Sequence, residues 1–196
     1  MEIIMWKSRD LAFVIVLAVV SFVYSVFLGQ LGNLLTGIMG LNYLLIIGHT
    51  VIISFSFLVY EGKRWRFLLQ GVLVALLTVP TFQSGASFDL LARVPLIIGS
   101  FFSDLVFNSI YSSFCAHGKL KLWAILVPVG HLLITPFTYA LNLFLFYPSE
   151  IFTLYVEVFL LLLPVTMTEA VIGGFLGYKI FKKMTKDKVL VSARVQ

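Results

Sequence analysis

From residue 11 to residue 28 the chain carries no charged side chain, and the same holds for 41–60. Runs of this length are the strongest constraint on the fold. A helix needs roughly 20 apolar residues to cross about 30 Å of hydrocarbon. Segments such as 11–20 and 159–163 are apolar on every side rather than alternating, so they suit helices that satisfy their own backbone hydrogen bonds in lipid, not barrel strands. Of the 196 residues, 60% are hydrophobic and 12% charged, too few polar groups to cover a water-soluble domain of this size. The expected fold is all-α: a polytopic membrane protein with one domain over 1–196 and a short basic tail at about 181–196.

Spans are expected at 11–29, 41–60, 67–82, 94–114, 122–146 and 158–180. The third is short, contains Gln70 and Gly71 and ends at Pro80, so a re-entrant or strongly tilted segment is its rival reading. The first follows Lys7-Ser8-Arg9-Asp10, which also fits a secretory signal. Its apolar stretch runs into Gly29-Gln30-Leu31 with no small-x-small cleavage site, which favours an uncleaved span.

The polar breaks alternate in charge. Lys7, Arg9, Lys63, Arg64, Arg66, Lys119, Lys121 and the tail lysines fall on one side of a six-span scheme, and of the 14 basic residues only Arg93 falls on the other. Basic short loops are retained in the cytoplasm, so both termini are expected there, in a multi-pass protein of the cell membrane. Topology thus accounts for the net charge of +5 without nucleic acid, and the tail can touch anionic lipid. The single Cys115 excludes an internal disulfide.

Polar residues inside the spans are the candidate site. Ser100, Asp104 and Asn108 recur every fourth residue in span four, and Asp104 should face the bundle interior. Arg93, at its outer entrance, can pair with Asp89, cap a pocket or bind an anionic solute. His131, Thr135, Thr138 and Asn142 share one side of span five around Pro136. His49 lies near the middle of span two, and Glu169 follows Pro164 in span six, where that proline should bend the helix or relax its start. His49, Asp104, Asn108, His131 and Glu169 are expected at comparable depth. A solute pocket, polar packing and a transition-metal site all fit them, although no local ligand motif supports metal, and histidine also permits proton coupling. Ser21, Ser25 and Gly29 form a small-residue stripe, either packed within the bundle or docking another membrane subunit. The uncharged connection 30–40 and the stretch 82–89 suit outer loops, the latter a lid. There is no phosphate-binding Gly-Lys-Ser/Thr loop, metalloprotease motif or nucleophile elbow, so neither ATP hydrolysis nor another enzymatic activity is expected.

Three stretches carry a family likeness: Lys7-Ser8-Arg9-Asp10 running into Leu11-Ala12-Phe13-Val14, Arg93-Val94-Pro95-Leu96-Ile97-Ile98-Gly99 leading to Ser103-Asp104, and Glu169-Ala170-Val171-Ile172-Gly173-Gly174-Phe175-Leu176-Gly177-Tyr178 before the lysine-rich tail. With six helices, the chain resembles the substrate-binding S component of energy-coupling factor vitamin transporters. The resemblance implies a vitamin or similar small organic solute held high in the bundle, a transmembrane coupling subunit and two ATP-binding subunits. The Met-His start of the nickel and cobalt members is absent, and no cofactor or metal is expected. Arg93, Asp104, Asn108, His131 and Asn142 are then the expected solute contacts, with His49 and Glu169 as further pocket or coupling groups. An ion-coupled secondary transporter is the second reading.

Overall fold

A computed structural model describes residues 6–29, 46–81 and 87–187, and every regular element among them is helical. Helix α1 spans Ser8–Tyr24 and passes into a π-helical turn, Ser25–Gly29. Helices α2 (Ile47–Tyr60) and α3 (Arg66–Thr78) follow, then a 3-10 turn, Leu91–Arg93, leading into α4 (Val94–Ala116). Helices α5 (Leu120–Phe146) and α6 (Ser149–Lys186) complete the described chain.

Four helical stretches are long and apolar enough to cross a membrane: Ser8–Phe27, Leu91–Ala116, Leu120–Phe146 and Ser149–Lys186. Their outward side chains agree, since Phe27, Phe137 and Leu161 are 70% or more exposed, and such surfaces belong against hydrocarbon rather than water. Helices α2 and α3 have 14 and 13 residues, about 21 and 20 Å at 1.5 Å per residue, short of the bilayer core.

The expected span at 158–180 is only part of its helix. The stretch 149–157, expected as an outer loop, is helical: Pro148 stands at the N-cap and Glu150 in the first turn, where an acid favours the helix dipole. Helix α6 also continues through Pro164 without interruption. Residues 41–45 and 82 of the expected spans, the 30–40 connection and most of the 82–89 lid lie outside the described residues.

The helices close a ring in the order α1, α3, α4, α5, α6, α2, with α2 also touching α5. At its core the ring of Phe57 lies 4.3 Å from that of Phe67, tilted by 35°, and meets Phe107 and Trp123 edge-on at 5.9 and 6.0 Å. The glycines of α6 let α2 and α5 come close. A methyl group at Gly173 would collide with Thr50, and one at Gly174 would lie 2.8 Å from the Ala124 carbonyl. Ser54, packed at Gly177, donates to the carbonyls of Ala124 and Gly174 at 2.9 and 3.2 Å, joining three helices. Small residues permitting close backbones are the usual adhesive of helices in lipid.

The basic residues gather at one end. Asp10 of α1 pairs with Lys63 at 3.1 Å and Arg66 at 3.0 Å, and Arg66 lies over the Trp6 ring. Lys121 and Lys179 both approach the ring of Phe175. That end is called inner below, and the opposite end outer.

Candidate functional site

A helix end leaves backbone amides or carbonyls without intrahelical partners, and in an apolar bundle each is costly. Helices α2 and α3 stop inside the ring, and charged side chains of the longer helices meet their ends. Asp104 of α4 accepts from the backbone amides of Trp65, Phe67 and Leu68 at 2.8, 2.9 and 3.0 Å, which engages both its oxygens. It thereby closes the first turn of α3 and steadies a turn in which Glu61 and Trp65 both have positive φ. Glu169 of α6 does the same for α2, accepting from the Ile46 amide at 2.9 Å, while the Gly48 amide donates to the Tyr24 hydroxyl at 3.0 Å. At the outer end of α3, Arg93 Nη2 donates to the carbonyls of Thr78 and Thr81 at 3.1 and 2.7 Å. A negative charge at helix N-termini and a positive one at a C-terminus is the pairing that the helix dipole favours.

The candidates expected at one depth therefore separate into tiers. Glu169 and His49 stand at the first turn of α2, whereas Asp104 and Asn108 stand beside the turn that follows its last, about 20 Å away along a 14-residue helix. The sequence spacing placed each residue correctly on its own helix but carried no information about how far the short helices are recessed. His131 is linked to both groups, packing beside Phe67, whose amide Asp104 binds, and lying within electrostatic reach of His49. Its Nδ1 lies 2.9 Å from Ser103 Oγ, its Nε2 3.2 Å from Thr135 Oγ1, and its ring meets Phe67 edge-on. Asn108 donates weakly to the Lys63 carbonyl at 3.4 Å and leaves its oxygen without a partner. Asn142 is buried in α5 one turn beyond Thr138, whose hydroxyl donates to the Pro95 carbonyl at 3.0 Å.

Ser21 of the small-residue stripe faces inward, 2% exposed. It accepts from Gln70 Nε2 at 3.1 Å, and Gln70 Oε1 in turn accepts from the Tyr60 hydroxyl at 2.8 Å. This chain ties α1, α3 and α2 together. The Ser25 amide still bonds to the Ser21 carbonyl, so these two serines stay one α-helical turn apart, and the π-helical turn, Ser25–Gly29, follows.

The outer tier has one further pair, which lies beyond the ends of the helices. Tyr147, the C-cap residue of α5, donates from its hydroxyl to Asp89 Oδ2 at 2.8 Å, and the Ala92 amide donates to Oδ1 at 3.2 Å. The tyrosine bond, then the amide, hold the Asp89 carboxyl below the usual carboxylate range. Tyr24, Gln70 and Tyr147 were not among the expected functional residues. Gln70 within an apolar run was the one available signal, and it was visible as a break in span three.

Two groups at the outer ends of the short helices have unused hydrogen-bonding capacity: Nδ1 of the half-buried His49, and Nε and Nη1 of Arg93. Among the described residues, no group of three or more His, Cys, Asp or Glu is placed to hold a metal ion. Comparison with protein-family models, with curated proteins and with solved structures gave no match.

Proposed function

We propose that the chain is a membrane-embedded, high-affinity substrate-binding subunit for uptake of a vitamin or related small organic solute. It crosses the cell membrane six times with both termini in the cytoplasm, and a transmembrane coupling subunit with two ATP-binding subunits supplies the energy. The observation that carries this reading is the unused polar capacity at the outer ends of α2 and α3, where Arg93 and His49 present unpartnered nitrogens inside an otherwise closed helix ring. Orphaned buried polar atoms cost about 1–3 kcal/mol each. Single ones also occur at Ser56, Arg66 and Asn108, but among the described residues Arg93 is the one with two, and a bound solute would satisfy them. The resemblance noted in the sequence and the absence of a phosphate-binding loop support the division of labour between capture and ATP hydrolysis.

Native mass spectrometry of the purified chain tests the reading, with one small organic molecule expected per protein. In proteoliposomes, uptake is expected only when the energising subunits are added, and full-rate uptake by the chain alone would overturn it. The second reading, ion-coupled transport, draws on the Ser103–His131–Thr135 contacts, which suit a proton relay. It requires uptake by the isolated chain driven by a pH gradient.

A further inference from the structure

A guanidinium taken out of water needs a counter-charge, because two neutral carbonyls solvate it without cancelling it. Arg93 is 3% exposed. Its Nη2 is occupied by the carbonyls of Thr78 and Thr81, while Nε and Nη1 have no partner. The nearest acid in sequence is Asp89, four residues earlier, and its carboxylate is committed elsewhere, to the Tyr147 hydroxyl and the Ala92 amide. Among the described residues the ion pairs within 4.0 Å are those of Asp10 with Lys63 and Arg66, at the inner end. At the outer end Arg93 therefore feels the charge of Asp89 only through space, without a direct ion pair, because that carboxylate is tied back by a tyrosine, and two guanidinium nitrogens stay open.

We propose that Arg93 is the anchor for a small oxyanion, the carboxylate or phosphate group of a soluble solute, and that Tyr147 is a positioning residue that keeps Asp89 from occupying the place. The assignment rests on the capture reading for the identity of the solute. Its chemistry follows from the guanidinium alone: oxyanions accept charge-assisted bonds from arginine about twice as strong as neutral ones. Neutral and cationic solutes gain nothing there.

The test uses the whole chain, delipidated in a neutral maltoside detergent, with benzoate and inorganic phosphate as anionic probes and benzamide as the neutral control. Benzoate and phosphate are expected to raise the thermal unfolding midpoint and benzamide to leave it unchanged. Arg93→Gln should abolish the response and Arg93→Lys retain part of it. If Arg93→Gln fails to fold, Tyr147→Phe decides. Freed from the hydroxyl, Asp89 competes for the guanidinium, so benzoate affinity should fall roughly tenfold, the scale of one charge-assisted bond. Tyr147→Phe combined with Asp89→Asn should restore it. An equal response to benzamide, an unaltered response in Arg93→Gln, or wild-type affinity in Tyr147→Phe overturns the proposal. So does stabilisation by added phosphatidylglycerol without any effect of benzoate or phosphate, which would assign the site to lipid. Loss of the anion response while a solute still co-purifies refutes the anion anchor and leaves the capture reading intact. An anion response without any captured solute refutes the capture reading alone.

Discussion

Three backbone amides converge on Asp104 inside the ring, each a donor that α3 would otherwise leave idle. Its first task is to hold the α2–α3 turn. Asp104→Asn keeps the size but removes the charge and turns an NH2 group towards donors, so it should cost about 1–3 kcal/mol of stability. Unfolding of the purified variant, followed by circular dichroism in detergent, measures this, and the folded fraction should bind solute as the wild type does. A folded variant with unchanged stability and weakened solute binding would return Asp104 to the list of solute contacts. That the residue faces the interior was legible from its four-residue spacing with Ser100 and Asn108. That it closes a helix was not, since its partners lie 36–39 positions away and are backbone groups, which sequence pattern does not distinguish. Arg93 was similarly ambiguous: its isolation among the basic residues was visible, whereas the diversion of Asp89 depends on Tyr147, 58 positions from that acid.

At the level of helices, the apolar runs were sufficient to locate the helical segments, because in lipid the length of an uncharged run and the length of a helix are nearly the same constraint. The exception is instructive. Glu150 and Glu157 marked 147–157 as exposed, but charge reports the surrounding solvent, not the backbone, and α6 begins at Ser149 regardless. Packing between α2 and α6 rests on contacts that sequence only hinted at through Gly173, Gly174 and Gly177. Gly173→Val would push its side chain into Thr50 and the Ile47 carbonyl, forcing the first turn of α2 away from Glu169. The expected loss is roughly 1–3 kcal/mol, the usual cost of overpacking. Comparing thermal unfolding midpoints of Gly173→Val and the wild type checks it, and an unchanged midpoint would mean that α2 and α6 are not so closely joined.

For the molecule as a whole, the charge alternation read along the sequence reappears as contacts that gather the basic turns at one end: Lys63 and Arg66 with Asp10, Lys121 and Lys179 around Phe175. Cys115 lies exposed near that end, in the last turn of α4, and is the single cysteine of the chain. A membrane-impermeant maleimide should therefore label it in inside-out vesicles and not in intact cells. Labelling from the external medium alone would reverse the proposed orientation. Helix α6, with 38 residues, is about 57 Å long, nearly twice the thickness of a bilayer's oily interior. A rod of that length in so thin a film must either lean or stand clear of one surface, and its angle then depends on the acyl chains around it. Lipid chain length thus becomes a variable that this protein feels mechanically, transmitted through the α6 glycines to the helices resting on them.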